Sequence, residues 1–158
     1  MSVTSPLPST ALRSHWLVCA AMLLMLIVYN VVCHVWGAEL QIAVSEERRV
    51  LLRSVLYGVA IVLFPLTNLT KHVLLRLNQT MPGPRSAGQR YFTTVTVSQA
   101  LIEWVGLFGP IMIVLGDGFN TLYIFSTMHA LGIFLHRPKM AEYHAIAAAL
   151  SAQNSRGE

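Results

Sequence analysis

The hydrophobic positions of this chain fall into four long runs separated by short polar segments. The first run, Trp16 to Trp36, would be about 31 Å long as a helix, which matches the roughly 30 Å hydrocarbon core of a bilayer. Three more runs follow, over residues 54–69, 91–115 and 121–135. We therefore predict an all-α integral membrane protein, an antiparallel bundle of four transmembrane helices at about residues 16–37, 50–70, 91–115 and 120–136.

The polar segments set the predicted domain boundaries. Residues 1–15 form a polar N-terminal segment, residues 16–137 the four-helix transmembrane domain, and residues 138–158 a cytoplasmic C-terminal tail. Ser45 before Glu46 and Glu47 is typical of a helix start, and prolines and glycines mark residues 78–89 as a loop. The alanine-rich part of the tail favours a surface helix.

Composition supports a membrane location. Hydrophobic residues make up 54% of the chain and charged residues only 11%, whereas soluble domains have roughly 45–50% and about 25%. The net charge of +4 comes from basic residues at the ends of the apolar runs. That placement fits anionic headgroups, so we expect the lipid bilayer as a partner and no nucleic acid.

The basic residues also predict the orientation. Arg48, Arg49 and Arg53 lie on one side of the predicted membrane, partly offset by three nearby glutamates, and eight basic residues lie on the other. By the positive-inside rule the eight face the cytoplasm, together with both termini, although the arginine cluster argues the other way. The eight are Arg13, Lys71, Arg76, Arg85, Arg90, Arg137, Lys139 and Arg156.

Glu103 is a carboxyl near the middle of the third run. A charged carboxyl facing lipid at that depth costs roughly 2–3 kcal/mol or more, so we expect it to face the bundle interior. Two interpretations stay open. Glu103 is either a site for a proton, an ion or a headgroup, or a structural group that holds helices together through Gln99, Asn30 or His129.

Helical spacing gives the third run two different faces. One face is small or polar and carries Thr96, Gln99, Glu103, Gly106 and Pro110. Gln99 lies one turn from Glu103, within reach of a hydrogen bond. We assign Gly106, Gly109 and Pro110 to helix packing, since small residues let backbones approach closely. The opposite face is apolar and carries Val97, Leu101, Trp104, Phe108 and Ile111.

Histidines add a second candidate group. His129 lies in the middle of the fourth run at a depth close to that of Glu103, where the two would relay a proton or form a neutral contact across the bundle. Two polar residues, Asn30 and His34, lie one turn apart in the first run. They extend this polar group or lie at the water-exposed end of the helix. Haem ligation needs two histidines at one depth on facing helices, so we expect no haem, no metal and no other cofactor.

The stretch from Glu103 to Gly109, with Ile111, resembles the carboxylate helix of rotary ATPase proteolipid subunits. That resemblance implies a membrane glutamate that carries the transported ion beside glycines that allow close packing. Such subunits also have a glycine-repeat helix. The first run here is bulky instead, with Leu23, Leu24 and Tyr29, which argues against assembly into a ring.

A second set of motifs covers about half of the chain. It consists of Arg90-Tyr91, Ala100-Leu101-Ile102-Glu103, Leu107-Phe108-Gly109, Gly116 and Arg137-Pro138. This arrangement resembles a group of small bacterial membrane proteins with four predicted helices. The resemblance implies the four-helix fold and the bacterial inner membrane, and it implies no particular activity.

The leading hypothesis is a small accessory or interaction subunit of the inner membrane. Its buried polar cluster of Glu103, Gln99, His129 and Asn30 would hold its helices, a partner membrane protein or a second copy together. The sequence contains no HExxH, CxxC, phosphate-loop or nucleophile-elbow motif, so a familiar type of enzyme is not expected. The alternative is a proton- or ion-coupled translocator that uses Glu103, and an enzyme acting on a lipid or quinone is a third possibility.

Overall fold

The computed structural model describes residues 12–155, and over that range the chain is all-helical. Its helices are α1 (Arg13–Leu40), α2 (Glu46–Thr80), α3 (Ala87–Val114), α4 (Phe119–Leu135) and α5 (Met140–Asn154). Most of the predicted N-terminal segment 1–15, and Arg156 of the tail, lie outside the described residues. The part that is described, from residue 13 onward, already belongs to α1.

The helices α1, α2 and α3 are long and apolar enough to cross a membrane. The helix α4 is apolar as well, but it has only 17 residues. The prediction of an all-α chain is therefore confirmed over the described residues, and three of the four predicted spans are long and apolar enough to cross a membrane.

The helix α2 differs most from its predicted bounds of 50–70. It has 35 residues and continues through Pro65 to Thr80. At 1.5 Å per residue it is about 52 Å long, well beyond the roughly 30 Å core of a bilayer. The extension beyond Leu69 is apolar in part, and Leu75 within it packs against the start of α3 and against α5.

The C-terminal tail is not a free segment, because α5 packs against both α2 and α3. Ile146 of α5 is fully buried and forms a core cluster with Leu12, Tyr91 and Val95. The surface helix expected for the tail is present, and its apolar side is integrated into the fold. The alanines around Ile146 allow this close approach, since they add little bulk.

The helix α3 is the centre of the molecule, because it packs against each of the other four helices. Its buried positions include Val105, Phe108 and Met112, which meet Ala60 of α2 and Phe125 of α4 in one apolar cluster. Phe108 was assigned to the apolar face opposite Glu103, and in the structure it is buried in this cluster. Because four helices pack against α3, its buried surface is wider than a single stripe.

Side-chain hydrogen bonds define the loop before α3. Ser86 and Gln89 form a capping box at its N-terminus. The Arg90 guanidinium donates to the carbonyl of Asn78 in the last turn of α2 and to the loop carbonyls of Met81, Gly83 and Arg85. A buried arginine therefore organises the loop between α2 and α3.

Two arginines of α2 hold the turn between α3 and α4. Gly116 adopts a positive φ of 81° there. Arg49 donates to the carbonyl of Gly116 at 3.0 Å, and Arg53 pairs with Asp117 at 3.1 Å. The arginine cluster that argued against the predicted orientation thus has a local structural role.

Candidate functional site

Glu103 lies inside α3 and contacts two other helices at once. Tyr29 of α1 donates its phenolic hydrogen to Oε1 of Glu103 at 2.8 Å. The Nε2 atom of His129, on α4, lies 3.2 Å from Oε2. The imidazole is fully buried and the carboxyl side chain is 16% exposed. These three side chains, which we call the Glu103 cluster, link α1, α3 and α4.

Gly106 makes room for the imidazole of His129. A Cβ atom at position 106 would overlap Nδ1 of His129 and would lie 2.7 Å from its Cε1. Gly106 is one turn from Glu103 along α3, so the backbone of α3 passes directly beside the ring. The residue assigned to helix packing therefore lies against the ring of His129 and restricts its position.

The other two residues assigned to helix packing lie farther along α3. A Cβ atom at Gly109 would lie 2.9 Å from the side chain of Leu122, so this glycine marks a close approach of α3 and α4. Pro110 is inside the helix and half-buried, and α3 continues through it to Val114. Close packing of α3 and α4 therefore extends over at least two glycines.

Gln99 is buried, but its hydrogen bonds to described residues lead away from Glu103. Its amide nitrogen donates to the carbonyl of Ile133 at 3.4 Å and to Sγ of Cys19 at 3.3 Å. Its Oε1 atom has no hydrogen-bond partner among the described residues. Gln99 links the same three helices as Glu103, one turn nearer to the start of α3.

Asn30 also bonds to a residue other than Glu103. Its amide donates to the carbonyl of Leu26 and to Oγ of Ser126, each at 2.9 Å. One turn farther along α1, His34 lies 2.8 Å from the hydroxyl of Tyr123, and both side chains are exposed. The polar contacts between α1 and α4 thus run from buried to exposed positions.

This line of contacts is called the polar seam below. It consists of the Glu103 cluster, the pair Asn30 and Ser126, and the pair His34 and Tyr123. It begins in the middle of α3 and ends near the C-terminus of α1 and the N-terminus of α4.

Among the described residues, no three His, Cys, Asp or Glu side chains are grouped so as to hold a metal ion.

The geometry of the Glu103 cluster permits one proton to be shared or exchanged. The carboxyl and the imidazole are within 3.2 Å, but neither Oε2 nor either ring nitrogen forms a well-aligned hydrogen bond within the described chain. Buried polar atoms are usually paired, so this arrangement leaves donor and acceptor capacity unused. The cluster therefore has features of both a structural contact and a proton site.

Sequence reasoning missed Tyr29 and the partners of Asn30. Tyr29 was treated as one of the bulky apolar residues of α1, yet its hydroxyl is the best-aligned partner of Glu103. A tyrosine buried in a membrane usually directs its hydroxyl to a polar group, and this tendency was the available signal.

Comparison with protein-family models, with curated proteins and with solved structures finds no match to this chain.

Proposed function

We propose that this chain is an accessory or interaction subunit of the bacterial inner membrane that crosses the bilayer four times. Its Glu103 cluster holds α1, α3 and α4 in one arrangement for assembly with a partner membrane protein or a second copy. The observation that carries the proposal is the double contact of Glu103 with Tyr29 and His129.

The fourth crossing is assigned to α4. Its 17 residues include no Asp, Glu, Lys or Arg, and as a helix they would extend about 26 Å. His136 and Arg137 follow directly and can bring the usable length closer to the roughly 30 Å core. With four crossings, both termini lie on the same side, which the positive-inside rule makes the cytoplasm.

An interaction role is supported by where the polar and apolar groups lie. The connections between helices are short, and α5 is the one described element outside the apolar helices. The helices α1 and α2 expose large apolar side chains along their length. Lipid covers part of this surface, and the proposal assigns the remainder to a partner helix.

The structural role of Glu103 is tested by comparing Glu103→Gln with Glu103→Ala in the purified protein. Alanine leaves the Tyr29 hydroxyl and the His129 ring without a partner, which costs about 1–3 kcal/mol in the free energy of unfolding. Glutamine keeps an acceptor for Tyr29, and we expect less than half of that loss. Glu39→Ala is the matched control, because Glu39 is an exposed carboxyl near the end of α1.

Stability of Glu103→Ala equal to that of the wild type would contradict the structural role. The interaction role has its own readout, which is the mass of the complex released from mild detergent. A monomer without any bound partner, in both native mass spectrometry and cross-linking in membranes, would contradict it. The two measurements are independent, so one role can fail while the other stands.

The polar seam favours a second candidate, a proton-coupled translocator. The contacts of the seam are spaced along α1 and α4 between the partly exposed carboxyl of Glu103 and the exposed pair of His34 and Tyr123. In proteoliposomes with an internal pH dye, this function predicts a proton flux that Glu103→Gln abolishes and Glu39→Gln leaves intact. Flux equal to that of empty liposomes, from a folded wild-type protein, would exclude it.

A further inference from the structure

A second polar cluster lies at the opposite end of the molecule from the exposed end of the seam. It surrounds a small cleft where α2, the end of α4 and the start of α5 meet. The cleft has a volume of about 150 Å³, which corresponds to about five water molecules at roughly 30 Å³ each. The residues lining this Lys71 cleft are Asn68, Lys71, His72, Leu75, Leu135, His136, Lys139 and Glu142.

The lining of the Lys71 cleft carries an excess of positive charge. Lys71 and Lys139 are balanced by a single acid, Glu142. Lys71 is only 5% exposed, although it carries a charge. A buried lysine needs anionic partners, and one carboxylate shared between two lysines leaves one positive charge uncompensated.

Glu142 is already committed to partners within the chain. Its Oε2 atom accepts a hydrogen bond from the Tyr91 hydroxyl at 2.8 Å and pairs with Lys71 at 3.0 Å. Lys139 is 3.9 Å from the other oxygen, and its side chain is half-exposed. Lys139 is therefore free to turn towards an anion without breaking the pair of Lys71 and Glu142.

Two further groups at the cleft offer hydrogen bonds to an anion. His136 is only 4% exposed, lines the cleft, and its ring makes no hydrogen bond within the described part of the chain. Lys139 is the N-cap of α5, and its side chain does not cap the helix. The first turn of α5 therefore directs backbone N–H groups and a partial positive charge towards this region.

The position of the cleft places it at a membrane surface. Lys71 follows the apolar stretch of α2, and His136 and Lys139 follow the apolar helix α4. Phospholipid phosphates lie at this depth, beside the ends of the membrane-spanning helices. The residues that line the cleft belong to the basic side of the predicted orientation.

We propose that the Lys71 cleft binds a phosphate group, presented either by an anionic phospholipid headgroup or by free phosphate. Lys139, His136 and the start of α5 contact the phosphate oxygens. The buried Lys71 adds positive charge to the site. The cleft is too small for a whole lipid, so acyl chains would lie outside it against the apolar surface of α2. The site is independent of the Glu103 cluster.

The test measures binding of two probes to the full chain. Inorganic phosphate is titrated against the detergent-solubilised protein, with chloride at equal ionic strength as the reference, and binding is read from thermal stabilisation. Lipid retention is read by native mass spectrometry after release from nanodiscs of phosphatidylcholine with or without phosphatidylglycerol. Lys139→Ala is the test variant, because this exposed side chain makes no cap hydrogen bond and its loss should leave the fold intact.

Arg137→Ala is the matched control. It removes the same charge two residues away, from a side chain that lies over the Phe134 ring and does not line the cleft. We expect Lys139→Ala to weaken binding roughly tenfold, the effect of losing one charged hydrogen bond, and Arg137→Ala to change it less than about twofold. His136→Gln, which keeps a donor, should weaken binding less than Lys139→Ala.

The outcomes separate the two sources of phosphate. Selective retention of phosphatidylglycerol that Lys139→Ala removes identifies the headgroup as the ligand. Phosphate stabilisation with the same variant dependence, without lipid retention, identifies free phosphate. Equal effects of Lys139→Ala and Arg137→Ala, or no binding of either probe to the wild type, would overturn the proposal.

Discussion

Replacing Gly106 by alanine tests whether the Glu103 cluster depends on close packing of α3 against α4. The added Cβ would overlap Nδ1 of His129 and lie 2.7 Å and 2.8 Å from Cε1 and Cγ. Ordinary contact begins at 3.4 Å, so Cε1 must recede by roughly 0.7 Å, from 2.7 to 3.4 Å. The ring is fully buried, so it cannot move without displacing the helix or breaking its contact with Glu103.

Overpacking of this kind costs about 1–3 kcal/mol in the free energy of unfolding. Gly58→Ala is the matched control, because a Cβ at Gly58 meets nothing within 4 Å. It should leave stability unchanged or raise it by about 0.5–1 kcal/mol, since alanine favours a helix over glycine. Thermal or denaturant unfolding of the two variants in the same detergent gives the comparison.

A double variant identifies the cause of the loss. If the clash with the imidazole is responsible, Gly106→Ala should cost little once His129→Ala has removed the ring, a coupling of about 1–3 kcal/mol. A Gly106→Ala protein as stable as the wild type would refute the reasoning. So would an equal cost of Gly106→Ala in the presence and absence of the ring.

Three further predictions concern other polar contacts. Tyr29→Phe removes one hydrogen bond and should destabilise the protein by about 0.6–1.7 kcal/mol, the range measured for hydrogen bonds between membrane helices. It should have no effect in a Glu103→Ala background, because the acceptor is then absent. Unfolding of the wild type, the two single variants and the double variant checks both expectations. Burial, followed by the charges of Lys71 and Lys139, lowers the pKa of His136 below its ordinary value of 6.5. As pH falls, His136 is therefore protonated in the unfolded chain before it is protonated in the folded protein. The wild type should lose stability as pH falls through about 6.5, and unfolding at several pH values should show a weaker loss in His136→Gln. Arg90→Ala removes the donor that four backbone carbonyls share. Limited proteolysis should therefore cut residues 81–86 faster than in the wild type. An unchanged rate of cleavage would contradict this role.

The apolar runs were sufficient to predict α1 to α4, because run length is a local property of the chain, but they did not give the full length of α2. The expectation that Glu103 faces the bundle interior rests on the cost of exposing a carboxyl to lipid, which does not depend on details of packing. That reasoning named His129 as a possible partner, together with Gln99 and Asn30, without choosing among the three. The packing role of Gly106 was predicted separately, from its small size.

Other features of the site depend on side-chain direction, which sequence spacing does not specify. Gln99 is one turn from Glu103, yet its amide is directed to Ile133 and Cys19, since helical side chains lean towards the N-terminus of their own helix. The docking of α5 depends on one buried residue, Ile146, among alanines that suit either an exposed or a packed helix. Tertiary contacts decide both cases.

Net charge separates the two polar regions of the molecule. In the Glu103 cluster, one carboxyl lies between the Tyr29 hydroxyl and the His129 imidazole, so contacts within the chain link α1, α3 and α4. The unpaired Oε2 of Glu103 and the ring nitrogens of His129 are the groups on which the proton-site alternative rests. At the Lys71 cleft, two lysines share one carboxylate, which leaves one positive charge uncompensated. An anion can neutralise such a charge, so the junction of α2, α4 and α5 is the better candidate for binding an anionic ligand.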